Sequence, residues 1–328
     1  MSMRWGMTVP LSGVSLAEHA AVYSALADAG FTDVWSAEVA GTDAFTPLAL
    51  AAAWEPRLRL GTAIAPVFTR GPGLLAMTAA ALAETAPGRF QFGIGASSPV
   101  VSGDWNAADF VRPFARSRDM LRFLRAALAG ELVDKQFDTF RVKRFRLERP
   151  PATPPQLMLA ALRPQMLRLA AAEADGVILN WLSPTDVATA LAETKEAEPG
   201  FEVAARIFVI PTEDAGYART VGRRMITSYL TVPAYAAFHR WLGREAVLTP
   251  MWQAWESGDR KGALAAIPDE LVDELIVHGS PEQCRDRVQA YADAGITVPV
   301  MALIPTPELE RGGAAALSSL ITALGRTG

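Results

Sequence analysis

Between Arg4 and Ile94 the chain repeats one unit three times: a short apolar run, a turn, an alanine-rich amphipathic stretch, then another apolar run. The runs are Arg4–Pro10, Thr32–Ser36, Leu58–Ile64 and Phe90–Ile94. Apolar runs this short, alternating with helical patterns, are what strands look like when helices cover the sheet. Each unit spans roughly 28 residues, close to the ~30 of a βαβ unit. Four further runs follow at Gln156–Ala160, Val177–Leu179, Ala205–Ile210 and Thr297–Ile304. Eight such units close into a barrel whose chemistry sits at the C-terminal ends of its strands. The pattern therefore predicts an α/β fold, a (β/α)8 TIM barrel, as a single domain over residues 1–328. That length exceeds the ~250 residues of a bare barrel and leaves room for insertions.

Helix boundaries are written in the same pattern. Ser15 with Glu18 and Ser280 with Gln283 are capping boxes, and Gly30 closes the first helix. The other helices are expected over about 43–54, 72–85 and 116–129, from Pro164 to before Gly176, and from Ser183–Pro184 onward. Two segments break the repeat. Val133–Leu147 alternates Phe137, Phe140, Val142 and Phe145 with charged residues, a period of two that predicts a half-exposed hairpin after the fourth helix. Asp214–Leu275, after the seventh strand, is mostly helical and carries Tyr217, Tyr229, Tyr235, Phe238, Trp241, Trp252 and Trp255.

Composition excludes several classes. Lys plus Arg is 31 against Asp plus Glu at 35, a net charge of −4, so no nucleic-acid or anionic-membrane partner is expected. A single cysteine, Cys284, rules out an internal disulfide and multi-cysteine metal sites. No apolar stretch reaches the ~18 residues of a membrane span, and the start, Met1–Trp5, shows no signal-peptide h-region; a cytoplasmic protein is the expectation. The three histidines, His19, His239 and His278, are too few for a histidine-rich metal site, so no metal is expected. There is no G-x-S-x-G, H-E-x-x-H or C-x-x-C.

Candidate chemistry lies at the strand exits. Gly95–Ala96–Ser97–Ser98 reads either as a plain tight turn or as a place where small residues let a flat ligand approach the backbone. Ala160–Ala161–Leu162–Arg163–Pro164 places a guanidinium at a helix start, a competent phosphate site. Thr69–Arg70–Gly71–Pro72 is a second basic helix start. Glu38 follows the second strand, where barrels carry catalytic groups; a solvated loop glutamate is the alternative. Asn180 and Trp181 leave the sixth strand, and Trp181 either stacks on a ligand or is covered by the insertion.

Several segments, in order, resemble the luciferase-like superfamily, in particular its deazaflavin (coenzyme F420)-dependent oxidoreductases. They are Val34–Glu38 with Asp43–Leu48, Leu60–Ile64 with Thr69–Pro72, Gly88–Ser97, Pro164–Ala170, Ala174–Trp181 and Gly279–Cys284. The resemblance implies a (β/α)8 barrel with a flavin or deazaflavin across the C-terminal ends of its strands. It further implies a non-prolyl cis peptide at Ala63–Ile64 behind the ring, and phosphate near Ala161, Leu162 and Arg163. Ala96, Ser97, Ala160, Asn180 and Trp181 complete the implied cofactor-binding set, with Arg70 and Arg163 available to an acidic cofactor tail. Many relatives carry histidine after the strand-two acid, where this chain has Val39.

The resulting expectation is an oxidoreductase moving a hydride between coenzyme F420 and an organic small-molecule substrate, with Glu38 handling a proton or facing substrate. Alternatives are an FMN-dependent monooxygenase and a non-catalytic flavin-binding barrel. The insertion is expected as a lid over the substrate side or as part of a homodimer interface, since dimers are common in that superfamily.

Overall fold

The computed structural model describes residues 4–326. Along the chain lie β1 (Gly6–Thr8), α1 (His19–Asp28), β2 (Asp33–Ser36), α2 (Thr46–Trp54), β3 (Arg59–Thr62), β4 (Ala65–Pro66), α3 (Pro72–Thr85) and β5 (Phe90–Gly95). A π-helical turn, Val100–Asp104, precedes α4 (Pro113–Leu128), β6 (Val133–Gln136), β7 (Arg141–Phe145), β8 (Gln156–Ala160), α5 (Pro164–Glu173), β9 (Gly176–Asn180) and α6 (Pro184–Leu191). Next come β10 (Glu202–Ile210) and the helices α7 (Ala215–Leu230), α8 (Pro233–Trp241), α9 (Glu245–Glu256), α10 (Arg260–Ala265) and α11 (Asp269–Leu275). The chain ends with β11 (Val277–His278), α12 (Pro281–Asp293), β12 (Val298–Leu303) and α13 (Pro307–Leu324).

Strands β1, β2, β3, β5, β8, β9, β10 and β12 pair in parallel, and β10 bonds both β9 and β12, so the sheet closes. This is the (β/α)8 barrel. Alternation along each strand divides the side chains into two sets. Met7, Val34, Leu60, Leu157, Leu179, Ile207 and Met301 face the helices and belong to the main core. Trp35, Met158, Ile178, Ala204, Val298 and Val300 form a separate cluster inside the barrel. Trp35 is the plug. A Cβ on Gly61 would lie 2.3 Å from its ring, so the neighbouring strand must carry glycine there.

The N-terminal end of the barrel is polar. Arg4 forms ion pairs with Asp33 and, at 2.6 Å, with Glu202, and also donates to Gln91 at 2.6 Å. Asp33 is fully buried, so this guanidinium neutralises a carboxylate that would otherwise be costly to hold.

Boundaries match the sequence expectation closely, with physical reasons where they differ. The run Leu58–Ile64 is not one strand: the Ala63–Ile64 peptide is cis, where the resemblance puts it, and separates β3 from β4. The second helix starts at Thr46 rather than Asp43, because the Asp43 carboxylate accepts from the Phe45 and Thr46 amides ahead of it. The hairpin forms as expected, and Phe137, Phe140 and Phe145 pack around Phe123 of α4.

Candidate functional site

Extending the inward alternation by one step gives the residues at the C-terminal mouth. Thr8 follows Gly6, Ala63 follows Gly61, and Ala160 follows Met158. With Gly95, these side chains are small, and the Ile64 and Ala160 side chains lie against Gly95. One side of the mouth is therefore lined by small side chains. On β9 and β10 the inward residues are larger: Asn180, Arg206 and Phe208.

The β5 exit continues through Ala96, Ser97 and Ser98, all partly accessible. Ser97 has φ 64°, a conformation uncommon for a residue with a side chain and enriched at functional sites. Ser98 Oγ accepts from the Val101 amide and fastens the π-helical turn to this exit.

At the β8 exit, Ala161 is buried and its amide is used by Ile178 O. Leu162 and Arg163 are the accessible members of this corner. Arg163 is the N-cap of α5, yet no side chain caps the helix and Pro164 occupies N1. Pro164 has no N–H and the Met166 amide bonds Arg163 O at 3.0 Å, so the Gln165 amide is the first-turn donor left to an anion there.

The corner between β2 and β3 is built differently from expectation. Glu38 accepts from Arg70 at 2.5 Å, from Thr69 Oγ1 at 3.2 Å and from the Ala44 amide at 3.0 Å. Arg70 also lies 5.1 Å from the centre of the Phe45 ring. Glu38 thus braces two exit loops, and Arg70 is its partner, a correction to reading Arg70 as a free rim cation. Both carboxylate oxygens are engaged, which argues for positioning rather than proton transfer.

Over the remaining side sits the helical insertion. Trp181, Phe208, Ile210 and Ala302 share one apolar cluster with residues of α7 to α11. The insertion therefore lies at the C-terminal end, on the β9, β10 and β12 side. Trp181, at φ 57°, is buried against Phe208 (4.4 Å) and Tyr229 (4.9 Å). Of the two sequence alternatives, covering by the insertion is the one this packing shows. Asn180 Nδ2 donates to Tyr235 Oη at 2.8 Å, while its Oδ1 is buried with no partner. Burial and the neighbouring Tyr229 push the Tyr235 hydroxyl up to about 12, so it stays protonated.

Arg206 is the residue that sequence reasoning missed. Its signal was available: a charged residue at an inward position of a central strand, between Ala204 and Phe208. Its guanidinium carbon lies 4.9 Å from the Phe208 ring centre, and its Nε is buried without a partner.

The histidines are not at the mouth's open side. His19 accepts from the Leu11 amide at 2.9 Å and contacts Ser15 O at 2.8 Å. Burial, then the charge of Arg244, lowers His239 to about 4. His278 lies 2.9 Å from Asp273. Among the described residues no cluster of His, Cys, Asp and Glu could hold a metal ion, and no helix is long and apolar enough to cross a membrane. An apolar groove of about 780 Å³ runs down the outer flank between α1 and α13, past Val14, Ala25, Leu317 and Ile321, and belongs to the helical ring.

Comparison with known proteins agrees with this architecture. Residues 3–298 match the family model described as luciferase-like monooxygenase. A Mycobacterium tuberculosis protein, whose name gives coenzyme F420-dependent oxidoreductase as a provisional assignment, is 28% identical over 325 residues, covering 90% of this chain and 92% of its own. The F420-dependent tetrahydromethanopterin reductase from Methanopyrus kandleri superposes with a TM-score of 0.77 at 18% identity, over 99% of this chain and 98% of its own. An F420-dependent secondary alcohol dehydrogenase bound to an F420–acetone adduct gives 0.78 at 16% identity, over 99% and 100%. FMN-bound structures are similar as well: the oxygenating constituent of 3,6-diketocamphane monooxygenase from Pseudomonas putida gives 0.64 at 15%, over 99% and 97%.

Proposed function

We propose a hydride-transfer role for this chain, which belongs to the luciferase-like monooxygenase family. The cofactor in this reading is a deazaflavin of the coenzyme F420 type, and the second reactant is an organic substrate. One observation carries it: a set of small side chains at the strand exits adjoins a helix start that no side chain caps, with exposed Arg163 beside it. A flat tricycle fits the first, and its phosphate fits the second. The provisionally assigned M. tuberculosis relative supports the choice of deazaflavin. FMN is the second reading, because the same phosphate corner serves it and FMN-bound neighbours share the fold.

Such a cofactor, when bound, supplies the hydride chemistry, and the protein orients it and excludes competing reactions. Ala63 and Ile64, with Gly95, Ala96, Ser97 and Ala160, would support the ring. Leu162, Arg163 and the Gln165 amide at the start of α5 would hold the phosphate. Asn180 offers an unpaired carbonyl oxygen at the mouth. The aromatic insertion covers one side of the mouth and keeps water from it. Glu38 acts as a positioning residue, fixing the β2 exit to the β3 exit through Arg70.

The test is titration of F420 into the wild type and Arg163→Ala. A hydrogen bond to a charged group contributes about 1.5–3 kcal/mol, so the variant should bind roughly ten- to a hundredfold more weakly. Unchanged affinity removes Arg163 from the phosphate site.

A further inference from the structure

The mouth of the barrel contains a guanidinium that nothing among the described residues neutralises. Arg206 makes no ion pair and no side-chain hydrogen bond among the described residues; its contact is the face of Phe208. Arg4 is neutralised by Asp33 and Glu202, and Arg244 in the roof by Asp186 and Glu274. Arg59, at the opposite end of the barrel, has no ion pair but donates to Gly88 O and Gln156 Oε1, whereas Arg206 has neither. Keeping a half-buried cation unpaired is costly. A cation–π contact recovers only part of that cost. Beside it, Asn180 is its register partner on β9, roughly 5 Å away across adjacent strands. Asn180 Oδ1 is an acceptor with no donor. The roof above both is aromatic, formed by Phe208, Tyr229 and Tyr235.

A donor-only group next to an acceptor-only group, under aromatic rings, selects a ligand by its chemistry. We propose that Arg206 and Asn180 form the substrate subsite of this mouth, and that it takes an organic acid with an apolar body. The carboxylate pairs with the Arg206 guanidinium, whose fork matches two carboxylate oxygens. A hydroxyl or amine next to that carboxylate donates to Asn180 Oδ1. The inference rests on the redox reading of the mouth. It goes beyond that reading by naming the substrate class.

The experiment uses the 328-residue chain and the probe pair mandelate and mandelamide, which share the phenyl ring and hydroxyl and differ in charge. Calorimetric titration of the wild type should show mandelate binding at least about tenfold more tightly, the range expected for a charged hydrogen bond. Arg206→Gln should abolish that preference, and Arg206→Lys should keep part of it. Because Arg206 has no ion pair to lose, both variants should fold, which circular dichroism checks. F420 is titrated into the same samples and should bind wild type and Arg206→Gln alike. No preference in the wild type, or a preference that survives Arg206→Gln, overturns the proposal. So does loss of F420 binding in Arg206→Gln, which would assign the guanidinium to the cofactor. Mandelate preference in a wild type that binds no F420 would leave the subsite standing and remove the deazaflavin reading.

Discussion

Arg244 joins the helical insertion to the barrel, and removing it should loosen the roof of the site measurably. The residue precedes α9 and is nearly buried, as is its main partner Asp186 in the first turn of α6. Its two terminal nitrogens reach the Asp186 oxygens at 2.9 and 2.8 Å, and one also reaches Glu274 of α11 at 2.5 Å. Breaking a buried pair by deleting one partner costs about 3–5 kcal/mol, because the other charge stays buried. Asp186 keeps two bonds from Ser183, at 2.7 and 2.8 Å, so Arg244→Met belongs at the lower end, about 3 kcal/mol. At about 2.1 cal/mol/K per residue, a chain of this length unfolds with roughly 0.7 kcal/mol/K, so the melting temperature should fall by about 4–5 °C. Adding Asp186→Leu should recover part of the loss, since the stranded carboxylate is its source. Hydrogen exchange should quicken in α8 to α11 while β1 to β5 stay protected. A melting temperature within 1 °C of wild type, or a double variant less stable than the single by the full sum, would refute the reasoning.

Acid sensitivity should trace in part to His239. Its folded value, about 4, lies below the ~6.5 of an exposed histidine, so the unfolded chain binds the extra proton first. Stability from this residue is present above about pH 6.5 and falls as pH drops toward 4, by an amount on the order of 3 kcal/mol. Denaturant titrations of wild type and His239→Phe at pH 7 and pH 4.5 should show a smaller difference between the two pH values in the variant; equal differences would clear His239. Gly93→Ala should fail to fold or lose several kcal/mol, because its Cβ would sit 1.9 Å from Thr62 O and 2.3 Å from Ile178. Gly41→Ala, with nothing near it, is the control, and soluble yield with circular dichroism separates them.

The parts of this molecule that are local in sequence were legible in it. The run Gln156–Ala160 is β8 and Pro72–Thr85 is α3, residue for residue, because burial on both faces and proline at N1 leave little choice. Ser280 caps α12 through Gln283, and Ser183 caps α6 through Asp186. Contacts that exist only after the barrel closes were not legible. Arg70 and Glu38 are 32 residues apart, and Arg4 meets Glu202 across 198. For Trp181 the sequence left stacking and covering both open, because nothing local showed Phe208 and Tyr229 closing over it. Arg206 was missed for a different reason: its inward orientation follows from alternation alone, but its lack of a counter-ion does not.

The central claim is that the mouth holds a deazaflavin, and equilibrium titration of oxidised F420 and of FMN into the purified protein tests it directly. At low ionic strength F420 should bind more tightly than FMN. Its affinity should drop more steeply with added salt, because its acidic tail is drawn to exposed Arg163 across solvent that screens charges within about 10 Å at 0.1 M. Tight FMN binding with no measurable F420 binding under those conditions would contradict the account.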